Sequence, residues 1–168
     1  AIAIENARLF KNVQRSLGRL RLLHKISQEL TATLELERVL AYSVQAVQEL
    51  LGATAASILQ IEGDELVFKI ALGEKADLVR PFRIPHGHGI AGWVVEHLEP
   101  QIVNDVHQDE RFFRGTDEQT GFITQSLAAA PLVINDKPVG VMEVFNKPGG
   151  FKQGDLDLLV TFASSAAI

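Results

Sequence analysis

The chain has no cysteine, and only one tryptophan, one tyrosine and one methionine in 168 residues. Without a thiol it can form no disulfide, thiolate nucleophile, thiolate metal centre or thioether-linked chromophore. No apolar run reaches the roughly 18–20 residues that cross a bilayer, and no signal-peptide pattern is found. Direct membrane insertion is therefore not expected, and a cytoplasmic location is. Basic residues are outnumbered: the net charge is −5, whereas a nucleic-acid footprint needs a basic patch. Arg15, Arg19, Arg21 and Lys25 share one stretch, but leucines dilute them, as on a solvated helix flank. Catalytic spacings are missing as well. There is no Walker or zinc pattern, no nucleophile beside a base and no paired carboxylates at a defined site, so no enzyme is expected.

What is present is a hydrophobic content of 46%, enough to bury the core of one domain with an appendage. Residues 1–31 carry Ile2, Leu9, Leu23 and Leu30 at sevenfold spacing, with Val13 and Leu20 between them. Such a seam predicts a helix that forms a coiled coil with a second copy; Asn6 sits where a polar residue fixes register. Gly18 interrupts it at a cost of about 1 kcal/mol. A break is expected near Thr31-Ala32-Thr33, before a second helix carrying Leu36, Val39, Leu40, Val44, Val47, Leu50 and Leu51 and capped by Gly52. The period then changes to two. Strands are predicted over 55–61 and 66–71 around Glu62-Gly63-Asp64, then over 101–104, 126–134 and 139–146, with Asn135-Asp136-Lys137-Pro138 as a turn. Residues 72–86 read as a loop with one turn of helix at most. A last helix starts near Gly154-Asp155, with Leu156, Leu159, Val160, Ala163 and Ala167 on one stripe. This order implies an α+β fold.

Gly87, Gly89 and Gly92 spell G-x-G-x-x-G, which suggests a dinucleotide site. That motif needs a long helix after the glycines, yet the apolar run here ends within two turns, at Glu99-Pro100. His86 and His88 lie two apart and would share a side of an extended backbone. Their glycine neighbours leave the loop too loose to preorganise a metal pair, and exposed loop histidines are expected.

The stretch from Arg83 through Gly92-Trp93 to Asn104-Asp105 resembles the central segment of GAF domains, ligand-sensing modules of signalling proteins. Two further blocks extend the resemblance: Val139-Gly140-Val141-Met142-Glu143-Val144, and the tail Asn146-Lys147 with Phe151 and Asp155. The tail is similar to a signature of cyclic-nucleotide-binding GAF domains in phosphodiesterases and some adenylyl cyclases, except that Leu156 replaces a glutamate. Physically, Lys147 can pair with Asp155 and Phe151 can pin the loop, so Asn146, Lys147, Phe151 and Asp155 read as a structural signature. The resemblance implies a central antiparallel sheet, GAF/PAS-like, with N- and C-terminal helices on one face and short helices and loops over a ligand pocket on the other. Residues 1–15 then read as a linker helix resembling the exit helix of a preceding sensory domain. Residues 16–168 read as the GAF domain, its last helix cut short. Absence of cysteine excludes the sulfoxide-reducing and covalent-chromophore branches of the family.

The ligand-binding residues implied are Ser57, Leu59, Phe68, Ile70, Gly89, Ile90, Val94, Asn104, Asp105, Phe113, Thr116, Phe122 and Ser126, with Leu66, Phe112 and Thr124 as further candidates. The Gly89 and Ile90 amides, at a helix N-terminus, suit an anion. Asp105 suits a backbone cap. No cofactor is fixed; a cyclic nucleotide or another small anionic ligand is expected, with noncovalent haem and small carboxylates as alternatives. The implied function is a bacterial-type, non-catalytic sensor, as in two-component systems, relaying its state through the helices of a homodimer to an output domain in the same polypeptide. The alternative is a spacer with no ligand, whose own aromatics fill the pocket.

Overall fold

The computed structural model describes residues 1–167, so Ile168, the last residue of the expected domain, lies outside them. The chain divides into two units, Ala1–Val39 and Leu40–Ile168. Helix α1 runs Ile2–Leu51 without the break expected at Thr31-Ala32-Thr33. Threonine lowers helix propensity only slightly, and inside the helix the hydroxyls bond back to carbonyls four residues earlier, Thr31 to Ser27 and Thr33 to Glu29, each at 2.9 Å. Within the first unit the seam residues are exposed, Leu20 at 62% and Leu23 at 63%.

The second unit is built on six antiparallel strands: β1 (Ala55–Glu62), β2 (Glu65–Leu72), β3 (Arg83–Pro85), β4 (Gln101–Val103), β5 (Leu127–Ile134) and β6 (Lys137–Phe145). Their order in the sheet is β3-β2-β1-β6-β5-β4. Strand β3 and the short helix α2 (Ala76–Val79) occupy the stretch expected to be mostly loop. A three-residue edge strand buries only Ile84 and leaves almost no periodic trace.

Each face of the sheet carries its own core. On one, Val44, Val47 and Leu51 from the end of α1 join Leu156, Leu159 and Ala163 of α5 (Gln153–Ala166) against Ile58, Met142 and Val144. On the other, α3 (Gly89–His97) lays Ile90, Ala91, Val94 and Val95 over Leu59, Leu66, Ala129 and Val141. This is the α+β arrangement with helices segregated by face. A bulge decides which β2 side chains face which core. Ile58 pairs with Ile70 but Leu59 with Phe68, so Lys69 is the extra residue. One inserted residue reverses side-chain parity. Phe68 therefore joins the α3 side, whereas Ile70 faces α1 and α5.

Candidate ligand-binding site

A cavity opens between the α3 face of the sheet and its roof. It offers about 90 Å³ to the centres of water molecules, and with its mouth spans about 730 Å³, part of it open to solvent. Its floor comes from Ser57 on β1, Ala71 and Phe68 on β2, and Glu143 and Phe145 on β6. The roof comes from the start of α3, from Phe112 and Phe113, and from α4 (Gly115–Thr120). At the mouth, α2 and Lys75 close one side.

The glycines shape this roof. Gly89 has φ +72°, and a Cβ there would come within 3.2 Å of Phe113. At Gly92 a Cβ would lie 2.9 Å from the backbone of Gly87, so only glycine lets α3 fold back onto its own entry loop. The motif therefore packs a lid and does not open a dinucleotide crossover. His88 precedes α3 in extended conformation and caps no amide with its side chain. The free N–H groups of the first turn meet the cavity at Gly89, Ile90 and Ala91, where the helix dipole favours an anion.

The same cavity wall holds the group that sequence reasoning missed. Glu143 is 5% exposed, in the middle of a central strand. Among the described residues no lysine or arginine forms an ion pair with it. Burial pushes its carboxyl up to about 7, only partly offset by the nearby Ser57 hydroxyl. Ser57 stands directly across from it in the β1–β6 register. Its buried Oγ makes no hydrogen bond of good geometry among the described residues. The signal available in the sequence was a carboxylate inside the apolar run Val141-Met142-Glu143-Val144-Phe145, where a charge is seldom buried without purpose.

Asp117 also lines the cavity. Its two oxygens accept from the Thr124 amide at 2.7 Å and the Thr124 hydroxyl at 2.9 Å, which ties α4 to the entry of β5. A stack on α3 braces the roof further. Trp93 lies 4.1 Å from the parallel ring of His97, and the Arg111 guanidinium sits 4.6 Å above the indole. Arg111 also bonds Asp109 at 2.7 Å, and that hydrogen bond holds the Asp109 carboxyl below its ordinary range.

Of the residues singled out from the sequence, the cavity brings together Ser57, Phe68, Gly89, Ile90, Phe113, Thr116 and Phe122, with Phe112 and Thr124. Leu59, Leu66 and Val94 lie beneath it in the α3 core, and Ile70 is on the far face because of the bulge. Asn104 is not at the cavity. Its side chain exchanges two hydrogen bonds with the Phe151 backbone, at 2.8 and 3.0 Å, and so fastens the edge strand to the entry of α5. Asp105 caps the turn Val106–Gln108 by accepting from the His107 amide at 3.1 Å. Ser126 is buried, with its amide bonded to Asn146 at 3.2 Å. The tail residues act as fasteners: Lys147 meets Asp155 at 2.7 Å, Asn146 bridges the backbone of Ile123 and Gln125, and Phe151 is buried.

An antiparallel sheet with helices over both faces and a roofed cavity on one of them is the GAF/PAS-like arrangement that the resemblance implied. The model of the GAF domain family matches residues 33–168, and the chain belongs to that family. It is 29% identical, over an alignment 166 positions long that covers 89% of this chain, to a dual 3′,5′-cyclic-AMP and -GMP phosphodiesterase of Drosophila melanogaster. It is 39% identical over 66 residues, 39% of its length, to a related phosphodiesterase 11A of Takifugu rubripes. The chain covers only 11% and 7% of those two proteins. Among solved structures it is similar to the GAF domain of a phosphoenolpyruvate-protein phosphotransferase from Coxiella burnetii, at TM-score 0.72 and 24% identity, covering 88% of this chain and 89% of that one. Residues 122 to 287 of a methyl-accepting chemotaxis protein give TM-score 0.68 at 21% identity, covering 84% of this chain and 92% of that one. No helix among the described residues is long and apolar enough to cross a membrane.

Proposed function

We propose that this domain is a non-catalytic regulatory module that binds a small anionic ligand of the cyclic-nucleotide class and passes its occupancy to an output domain through flanking helices of a homodimer. The observation that carries this reading is the polarity of the cavity. Among the lining residues, free amides of α3 and Lys75 suit a phosphate, Glu143 and Ser57 suit polar base edges, and Phe68, Phe112, Phe113 and Phe122 supply ring faces. Its volume exceeds what one or two waters fill, which favours a ligand over a self-filled spacer. Phosphodiesterase relatives, whose names specify cyclic nucleotides, support the same class.

Relay follows from differential affinity for two roof positions, and about 1–2 kcal/mol of coupling is enough for a regulatory effect. The exposed heptad seam of residues 1–31 suits a second copy of the chain. Thermal denaturation with cyclic GMP and cyclic AMP tests the ligand. At a hundred times Kd a bound nucleotide stabilises by about 2.7 kcal/mol, and no shift with either removes the cyclic-nucleotide reading. Sedimentation of the chain and of a Leu20→Glu, Leu23→Glu variant tests the dimer. A wild-type chain that sediments as a monomer removes that part.

A further inference from the structure

Glu143 imposes a condition on any occupant of the cavity. A buried carboxyl with no cation beside it is stable as the neutral acid and becomes a carboxylate only when donors are brought to it. The groups facing it are few. Across β1 stands uncharged Ser57 and across β5 Ala129, and α3 presents only apolar residues. Lys75 and Asp117 are the charged side chains elsewhere on the wall, and Asp117 is already bonded to Thr124. His88 packs edge-on against Phe113 outside the floor.

We propose that occupancy of this cavity is proton-linked through Glu143: a ligand presenting adjacent N–H donors binds with loss of the Glu143 proton to solvent, whereas one presenting an acceptor binds the neutral acid. This rests on the cyclic-nucleotide reading and extends it to the base. The pairing edge of guanine carries two neighbouring N–H donors, which match a carboxylate with Ser57 beside it as donor or acceptor. The corresponding edge of adenine carries an acceptor next to its amine, which matches a carboxylic acid. Burial that raises the empty-state carboxyl to about 7 places the change near neutrality. For the guanine nucleotide, proton release means that affinity rises by up to about tenfold per pH unit below this value and levels off above it. For the adenine nucleotide affinity is level below this value and falls by up to about tenfold per pH unit above it, as a proton must be taken up.

Calorimetric titration of the whole chain with cyclic GMP and cyclic AMP near pH 6, 7 and 8, at each pH in two phosphate-free buffers of different ionisation enthalpy, counts the protons directly. The expected result is up to one proton released per cyclic GMP at the lowest pH and almost none at the highest, with opposite pH trends for the two nucleotides. Glu143→Gln, of the same shape but unable to ionise, is expected to bind with no proton released and a flat profile. A contribution from His88 would survive in that variant. Binding of either nucleotide without the expected proton balance in the wild-type chain overturns the inference and leaves the proposed ligand class standing. A pH profile retained in Glu143→Gln does the same. Failure of both nucleotides to bind at any pH overturns both.

Discussion

Replacing Glu143 by glutamine should make the empty domain more stable in mild alkali than the parent. In the folded state the carboxyl titrates at about 7 against an ordinary value of 4.5. Between those values the folded chain holds a proton that the unfolded chain has lost, so stability falls as pH rises. The contribution of this group is fully present below about pH 4.5 and is exhausted once pH has passed about 7. Roughly 2.5 pH units at about 1.4 kcal/mol each give a loss of about 3 kcal/mol. Glutamine keeps the shape and cannot ionise, so the variant escapes the loss. Urea unfolding of both proteins near pH 5, 6, 7 and 8 measures it. The variant should match the parent within about 1 kcal/mol at the lowest pH and exceed it by about 3 kcal/mol at the highest. Taking the difference cancels the histidines and the other carboxylates. Parallel curves, or a gap that does not open with pH, would refute the claim that a buried uncompensated carboxyl lies on β6.

Three other substitutions probe the frame. Gly140→Ala should cost about 2–3 kcal/mol in urea melts, because its Cβ would collide with the Leu59 carbonyl oxygen in the neighbouring strand. Asn104→Ala removes both hydrogen bonds to the Phe151 backbone and leaves part-buried groups unpaired; a loss of about 1–3 kcal/mol, with faster amide exchange at β4 and the start of α5, is expected. At Asp155, burial raises the carboxyl, but hydrogen bonds from Lys147 and the Lys152 amide outweigh it and hold the group below its usual range. That stabilisation is present above the unfolded value and is lost as pH falls through the folded one. Asp155→Asn should therefore flatten part of the acid limb of a stability–pH curve, below about pH 4.

Fold and site differed in how far they could be read in advance. The apolar runs of β1, β5 and β6, buried on both faces of the sheet, and the three-four spacing of α5 are strong local signals, so those elements lie within a residue or two of expectation. The unbroken passage of α1 through Thr31 and Thr33 shows that two β-branched residues cost too little helix propensity to end it. Ile70 was misplaced because a bulge at Lys69 leaves no signature in a window of apolar residues. Asn104 and Asp105 drew attention as polar residues beside a strand, yet their partners are backbone groups: Phe151, 47 positions on, for the first, and His107 for the second. Glu143 was overlooked for the opposite reason. A carboxylate among valines was absorbed into a family motif, when its oddity in a central strand was the better clue.

The Trp93–Arg111 stack has a practical consequence. This lone indole sits on the roof helix in contact with an imidazole and a guanidinium. The molecule thus carries its single tryptophan on the proposed lid, and selective excitation of that indole is expected to report ligand entry without any added dye.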